Sequence, residues 1–362
     1  LFNTITTLLI FITFSFLINY LFLNLYNFQI LDFKYLQETY EWFAFLSFIS
    51  QSVYIFINFK FFINEQNWIL ISNNELFEKI KKEINFAKKL NIINIPNVGD
   101  LNKLNLNDYS GIIYSQRISD EKIFDKKTQK NNLKIYYFLD WIEEYFQFLP
   151  SNLLEGQNVF SLNLFPKGKT ELRLKRIGDV LLSLFIVIVF FPVIILAGLL
   201  IYLEDGGPIF YSQLRTGQFN TLIRIYKLRT MKINAETSFA KWAEKKDQRI
   251  TKIGHFLRKL RIDELPQLWN VCNGDMSLIG PRPERPEFDK DLMKILPNYS
   301  LRFKMKPGLS GWAQVNYPYG SSVKDSYNKL SYDIYYLKNF SFLLDLLILF
   351  KTIRLVAWAK GS

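Results

Sequence analysis

The stretch VLLSLFIVIVFFPVIILAGLLIYL, Val180 to Leu203, decides how this chain is read. Its 24 uncharged residues would reach about 36 Å as a straight helix, enough to cross a bilayer. Pro192 lies at its middle, where a proline removes a backbone hydrogen bond and clashes with the preceding turn. Arg173, Lys175 and Arg176 precede the run, and Arg215, Arg224, Lys227 and Arg229 follow it. Basic flanks favour the cytoplasmic face, so both ends are drawn to one side. A helix broken at Pro192 that enters and leaves by the same leaflet satisfies both observations, and a kinked spanning helix is the alternative.

Outward from this run the two halves differ. Leu1 to Asn163 carries 14 Lys/Arg against 16 Asp/Glu, and Leu164 to Ser362 carries 31 against 17, so the whole net charge of +12 resides in the second half. A basic half beside apolar runs points to an anionic partner: lipid headgroups, phosphorylated substrates or, less well, nucleic acid. Aromatic residues make up 17% of the chain, and together with the long uncharged runs they exclude an ordinary cytosolic enzyme, a disordered chain and a disulfide-stapled module. A single cysteine, Cys272, forms no internal disulfide. A single histidine, His255, rules out multi-histidine zinc sites, so any metal should be held by oxygen.

Leu1 to Leu31 and Trp42 to Phe59 are two more uncharged runs and read as transmembrane helices. The first lacks the basic start and small-residue cleavage site of a signal peptide, and further membrane segments can precede Leu1. From Trp68 short apolar strands alternate with helical segments: strands at Trp68–Ser72, Asn91–Val98, Gly111–Tyr114 and Leu133–Phe138, and helices at Glu75–Leu90, Asp120–Gln129 and from Asp140 onward. This alternation predicts a small Rossmann-like parallel sheet. The glycine loop that holds a dinucleotide is missing, since Ser72-Asn73-Asn74-Glu75 follows the first strand, and the module is expected to be regulatory or structural. The predicted organisation is therefore a membrane α/β protein: transmembrane helices over 1–63, a Rossmann-like module over 64–163, and an α+β domain over 164–362 containing the re-entrant run 180–203. Phe342 to Trp358 is apolar but interrupted by Asp345, Lys351 and Arg354, which suits an interfacial helix or a buried core helix equally.

Chemistry concentrates in the basic half. Arg258-Lys259-Leu260-Arg261-Ile262-Asp263-Glu264-Leu265-Pro266 sets adjacent carboxylates after a basic stretch. Asp263 could simply cap a helix and Glu264 complement its dipole. The same surroundings favour an ionised carboxylate, which can attack phosphorus while Mg²⁺, with Asp263 and Glu264 as its candidate ligands, neutralises the phosphates; Glu264 could instead orient Asp263. In Gly280-Pro281-Arg282-Pro283 a stiff segment holds a guanidinium that can grip a diphosphate. Lys227 and Arg229, in Tyr226-Lys227-Leu228-Arg229-Thr230-Met231, share one face of an extended segment. Lys306-Pro307-Gly308-Leu309-Ser310-Gly311-Trp312 reads as a constrained loop.

In order, Lys227–Met231, Asp247–Gly254, Ile262–Val271, Gly274–Pro283 and Lys306–Val315 resemble the sequence blocks of the monotopic polyprenyl-phosphate sugar-1-phosphate transferases, the bacterial sugar transferases. The likeness covers Glu171 to Ala359, and the N-terminal region resembles the extension of the long-form enzymes. It implies transfer of a sugar phosphate from a nucleoside diphosphate sugar, usually a UDP-sugar, to a polyprenyl phosphate such as undecaprenyl phosphate, with release of UMP. That reaction initiates exopolysaccharide or O-antigen synthesis on the cytoplasmic face of the bacterial inner membrane. Asp263 would be the nucleophile, Glu264 its acidic partner near Mg²⁺ and Arg282 a phosphate ligand. Lys227, Arg229, Arg258 and Asp333 stand at other motif positions as substrate-binding candidates. The resemblance also implies the re-entrant helix, although Phe191 stands where a serine often precedes the proline. Lipid bilayer is an expected partner, nucleic acid is not, and a homo-oligomer is compatible with the sequence. The rival reading is a non-enzymatic membrane scaffold whose basic face binds anionic lipid, for which Asp263 would be dispensable.

Overall fold

The computed structural model describes residues 66–84, 90–115, 133–154, 168–233, 235, 247–318, 320 and 322–357. The two N-terminal apolar runs and the expected helix at Asp120–Gln129 lie outside them. The chain divides into two compact units, Leu1–Phe138 and Leu139–Ser362.

In the first unit, strands β1 (Gln66–Ile71), β2 (Leu90–Ile95), β3 (Gly111–Tyr114) and β4 (Lys134–Tyr137) form a parallel sheet in the order β2-β1-β3-β4, with helix α1 (Asn74–Ile84) after β1. Trp68, Ile69, Leu70, Ile112 and Ile113 are fully buried, the continuous burial that a parallel sheet imposes on its central strands. Gly111 is required where β3 meets β4: a Cβ there would lie 2.3 Å from the Lys134 carbonyl and 2.5 Å from the Trp68 ring. The sequence extended β2 to Val98, but the strand stops at Ile95 because Pro96 has no N–H for the ladder. Where a dinucleotide phosphate would approach α1, the Asn73 side chain already accepts from Leu76 N at 2.9 Å, and Asn94 bonds both Ser72 and Asn74. This side-chain capping agrees with the missing glycine loop.

The second unit opens with α2 (Phe138–Phe146) and a single turn at Ser151–Leu154. The sequence assigned this segment to the first module, yet Leu149 and Leu154 are fully buried in the second unit's core. Leu149 N donates to Ser331 O at 2.9 Å and Trp312 Nε1 to Gln147 O at 2.8 Å. The apolar run lies in α3 (Lys169–Asp205). There follow the antiparallel hairpin of β5 (Phe210–Thr216) and β6 (Leu222–Leu228), then α4 (Lys252–Lys259) and α5 (Gln267–Asn273). The parallel pair β7 (Ser277–Ile279) and β8 (Gly308–Ser310) brackets α6 (Pro286–Ile295), and α7 (Trp312–Asn316), α8 (Val323–Asn339) and α9 (Phe342–Ala357) complete the unit. Leu268, Val271, Met276, Trp312, Leu330, Ile334, Tyr336 and Ile348 form the centre of its core.

Helix α3 stays helical through Pro192, so the interruption expected there is absent: a proline forfeits one hydrogen bond, and a helix can bend around that loss. Its outer surface is apolar and bare. Leu181, Phe185, Ile188, Phe191, Ile195, Leu199 and Leu203 are all more than half exposed, while Ser183, Ala197 and Ile201 are buried. The helix is long and apolar enough to cross a membrane. Both of its ends are nevertheless tied to the same unit. At one end Lys175 pairs with Asp345 at 2.6 Å, Arg176 donates to Cys272 O at 2.8 Å and Asp179 accepts from Ser277 Oγ at 2.7 Å. At the other, Glu204 accepts from Lys252 N at 2.9 Å and Asp205 pairs with Arg229. Helix α9 resolves its two readings by facing both ways. Leu344 and Ile348 are core residues, whereas Phe342, Phe350 and Ile353 are exposed.

Candidate active site

The site is built where β6, α4 and the segment leading into α5 converge. Thr251 caps α4 by accepting from Gly254 N at 2.9 Å, and Gly254 lets the helix press on the Thr230 backbone, where a Cβ would sit 2.2 Å from the carbonyl oxygen. After α4 the chain turns at Arg261, whose φ of 55° is uncommon for a residue with a side chain. This turn delivers the short 3₁₀ segment Ile262–Glu264, in which both carboxylates are buried, each residue 7% exposed.

The two adjacent carboxylates have opposite surroundings. Glu264 accepts from Arg282 at 2.6 Å and Lys227 at 3.1 Å through Oε1, and from Arg261 at 3.2 Å through Oε2. Burial raises its pKa, but Arg282, Lys227 and Arg261 outweigh that and hold it well below the usual carboxylate range. Asp263 is pushed up to about 6, first by burial and then by the Glu264 anion, with Lys227, Arg258 and Arg282 offsetting only part. Burial lowers the Lys227 ammonium despite its pairing with Glu264. Arg282 is raised, chiefly by Glu264.

Arg282 is fixed from behind. Gly280 N donates to Ser310 O at 2.8 Å and Gly308 N to Pro281 O at 2.9 Å, which pins the stiff segment to β8. The Arg282 carbonyl accepts from Arg302 at 2.7 Å. Arg302 also donates to the Tyr299 hydroxyl at 2.6 Å and pairs with Asp333 at 3.2 Å, while Tyr299 donates to Asp289 at 2.7 Å. The motif reading thus divides. Lys227 and Arg282 meet at Glu264, and Arg258 acts electrostatically on Asp263 while its Nε donates to Thr230 Oγ1 at 2.8 Å. Arg229 instead anchors the end of α3 through Asp205. Asp333, 2% exposed, reaches Arg282 only through Arg302.

Arg261, which the sequence offers with Arg258 as a cation beside the carboxylates, pairs with Glu264; the sequence does not single out Arg302 and Arg215 as site residues, because no local pattern reveals their surroundings. Arg215 is mostly buried, pairs with Glu284 at 3.5 Å and donates to Gln213 at 2.9 Å. It adds positive potential beside Arg282 and Arg285. His255 is exposed, and Cys272 is a half-buried free thiol.

A buried carboxylate dyad thus lies inside a cage of cations, on a unit that also presents a bare apolar helix. Residues 170–359 match the model of the bacterial sugar transferase family, and the chain belongs to that family. Over 189 residues it is 45% identical to a UDP-N-acetylgalactosamine-undecaprenyl-phosphate N-acetylgalactosaminephosphotransferase of Aeromonas hydrophila, covering 52% of this chain and 45% of that one. Two UDP-glucose:undecaprenyl-phosphate glucose-1-phosphate transferases are similar as well. The one from Escherichia coli is 34% identical over 58% of this chain and 46% of its own length, and the one from Caulobacter vibrioides is 38% identical over 52% of this chain and 71% of its own. The match spans about half the length of the Aeromonas and E. coli proteins.

Proposed function

We propose that this chain transfers a sugar 1-phosphate from a UDP-sugar to a polyprenyl phosphate such as undecaprenyl phosphate, initiating exopolysaccharide or O-antigen synthesis through a covalent intermediate on Asp263. The observation that carries this reading is the contrast between the neighbouring carboxylates: Glu264 is spent on three cations, whereas Asp263 is buried and left electrostatically under-compensated. Such a carboxylate is a competent nucleophile toward phosphorus. An Asp263 Oδ atom forms a bond to the sugar-bearing phosphorus, the phosphoanhydride bond to UMP breaks, and its electron pair leaves on the UMP phosphate. The polyprenyl phosphate oxygen then attacks the same phosphorus and returns Asp263 as a free carboxylate. Lys227 and Arg282, fixed by Glu264, hold the phosphates in place, and Arg258 stabilises the Asp263 anion.

Mg²⁺ fits this site through Asp263, because a buried carboxylate raised to about 6 beside a second anion is one that a cation would stabilise. Glu264 fits less well, since both of its oxygens already accept from cations. Among the described residues no cluster of three or more acidic, histidine or cysteine side chains is present; Mg²⁺ would take one or two carboxylates here and complete its shell with phosphate and water. When bound, Mg²⁺ would neutralise charge on the diphosphate.

The membrane reading rests on the tethers of α3. Asp179 and Glu204, at opposite ends of the apolar run, bond the same unit, whereas a spanning helix would separate them by the roughly 30 Å of a hydrocarbon core. A re-entrant arrangement, bent near Pro192 and inserted from the cytoplasmic side of the inner membrane, keeps both tethers. Two measurements test the function: UMP release from a panel of UDP-sugars with polyprenyl phosphate, and label from the sugar phosphate retained on the protein when polyprenyl phosphate is omitted. A lipid-binding scaffold would give neither, and would keep its lipid binding in Asp263→Asn.

A further inference from the structure

Gln267 stands one helical turn beyond Asp263. Leu265 (φ −54°, ψ −37°) and Pro266 (φ −61°, ψ −20°) carry helical backbone from the 3₁₀ segment into α5. The buried positions Asp263, Glu264, Gln267, Leu268, Asn270 and Val271 recur with a helical period, and Trp269 between them is exposed. Asp263 and Gln267 therefore share the buried side. Helical side chains lean toward the N-terminus of their helix, which tips the Gln267 amide back over the turn that carries Asp263.

Only 3% of Gln267 is exposed, yet its buried Nε2 finds no acceptor among the described residues. Asn270, on the same side, shows what a structural amide looks like here: its Nδ2 donates to Arg224 O at 2.7 Å and its Oδ1 accepts from Tyr226 N at 3.3 Å. A buried donor without an acceptor is costly, and such groups concentrate where a ligand completes the bonding. Lys227, Arg261 and Arg282 are already engaged by Glu264, and Arg258, the further cation that acts on Asp263, donates its Nε to Thr230. A neutral donor on the Asp263 side is what the arrangement otherwise lacks.

We propose that Gln267 is a catalytic residue whose Nε2 amide donates to a non-bridging oxygen of the phosphoryl group as that group passes onto and off Asp263. This rests on Asp263 being the nucleophile. The amide keeps both of its protons throughout: it stabilises charge on the oxygen while the Asp263–phosphorus bond forms and the bond to UMP breaks, and again in the reverse sense during transfer to the acceptor. A preorganised donor of this kind contributes most in the transition state.

The test uses the full chain in detergent or nanodiscs, with a labelled UDP-sugar and no acceptor, and compares the rate of protein labelling in wild type, Gln267→Met, Gln267→Glu and Asp263→Asn. Gln267→Met removes the donor while keeping the volume. Labelling should slow by about 100-fold, with kcat moved far more than the donor KM, and the melting temperature should not fall because the stranded donor is gone. Gln267→Glu should label slowly at pH 8, and its rate relative to wild type at the same pH should rise as the pH is lowered toward the range where Asp263 itself titrates and the introduced carboxyl gains a proton to donate, a response that a merely structural role would not produce. Labelling of Gln267→Met at the wild-type rate overturns the proposal. Should that variant not fold, wild-type labelling by Gln267→Glu at pH 8 overturns it instead. Labelling of Asp263→Asn would mean that the nucleophile reading has failed, whatever the Gln267 variants do.

Discussion

Replacing Asp263 with Asn should abolish transfer and at the same time stabilise the fold. Burial and the Glu264 anion raise the Asp263 carboxyl from its ordinary 3.8 to about 6. A carboxyl whose pKa is higher folded than unfolded favours the folded state only while protonated. Its ionisation costs nothing below about pH 4, costs progressively more between about pH 4 and pH 6, and costs the full amount above that range. At about 1.4 kcal/mol per pKa unit the full cost is about 3 kcal/mol, an upper limit because the two carboxylates titrate together. For a unit of this size that corresponds to roughly 6–12 °C in melting temperature. Asp263→Asn, which carries no charge at any pH, should therefore melt above wild type at pH 8 and level with it near pH 4. The assay is a thermal melt of detergent-solubilised protein across that range, run with and without Mg²⁺. The ion should raise the melting temperature of wild type at pH 8 and leave the variant unmoved, because Asp263 is its proposed ligand. A variant that melts below wild type at pH 8, or a difference that ignores pH, would refute the reasoning.

Arg282→Met removes the 2.6 Å partner of buried Glu264 while Lys227 and Arg261 remain; a lower melting temperature together with roughly 100-fold slower UMP release is expected. Arg302→Lys removes the bond to the Arg282 carbonyl and should weaken donor binding without touching substrate, so that KM rises more than kcat falls. On the proposed mechanism the reacting Asp263 must be ionised, and the rate of protein labelling should climb as pH passes through about 6; a flat profile from pH 5 to 8 speaks against that. With Cys272 replaced by Ser, cysteines at the exposed positions Arg173 and Pro208 should both resist an impermeant thiol reagent applied to intact cells and both react once the membrane is opened. Labelling of one alone before opening would mean that α3 spans the bilayer.

Local signals were legible where neighbours in sequence are also neighbours in space. Gly111–Tyr114 is a strand with the ends its flanking residues announce, and the dyad with Lys227 and Arg282 could be picked out because motif residues surround one reaction. Arg229 carried the same signal and turned elsewhere, since its partner Asp205 sits at the far end of a helix whose packing no local pattern records. Asp333 is similar: its charge is read easily from the sequence, but its commitment to Arg302 depends on how α8 lies against the turn at Tyr299–Lys304. That Leu149 and Leu154 fill the second unit's core is not visible in the local sequence, because the residues they pack among lie far downstream. Pro192 together with the basic flanks predicts a helix broken near its middle, whereas α3 stays helical through Pro192 and bonds its unit near both ends.

Two carboxylates one residue apart would ordinarily share one environment, and here they do not. The left-handed turn at Arg261 directs Glu264 into Arg282, Lys227 and Arg261, so its charge is consumed in holding those side chains in place. Asp263 receives the burial without the pairing. Environments that push neighbouring pKa values apart assign roles: the depressed carboxylate organises cations, and the raised one is left to react. The same geometry gives α3 a direct hold on the groups around the dyad. Asp205 at the end of α3 grips Arg229, two residues from Lys227 on the same extended stretch, and Asp179 near its start grips Ser277, on the strand that runs into Gly280 and Arg282. Moving α3 within a bilayer would therefore shift Lys227 and Arg282, two of the three cations that meet at Glu264, which is why the topology of that helix and the chemistry of the dyad are expected to fail together when either is disturbed.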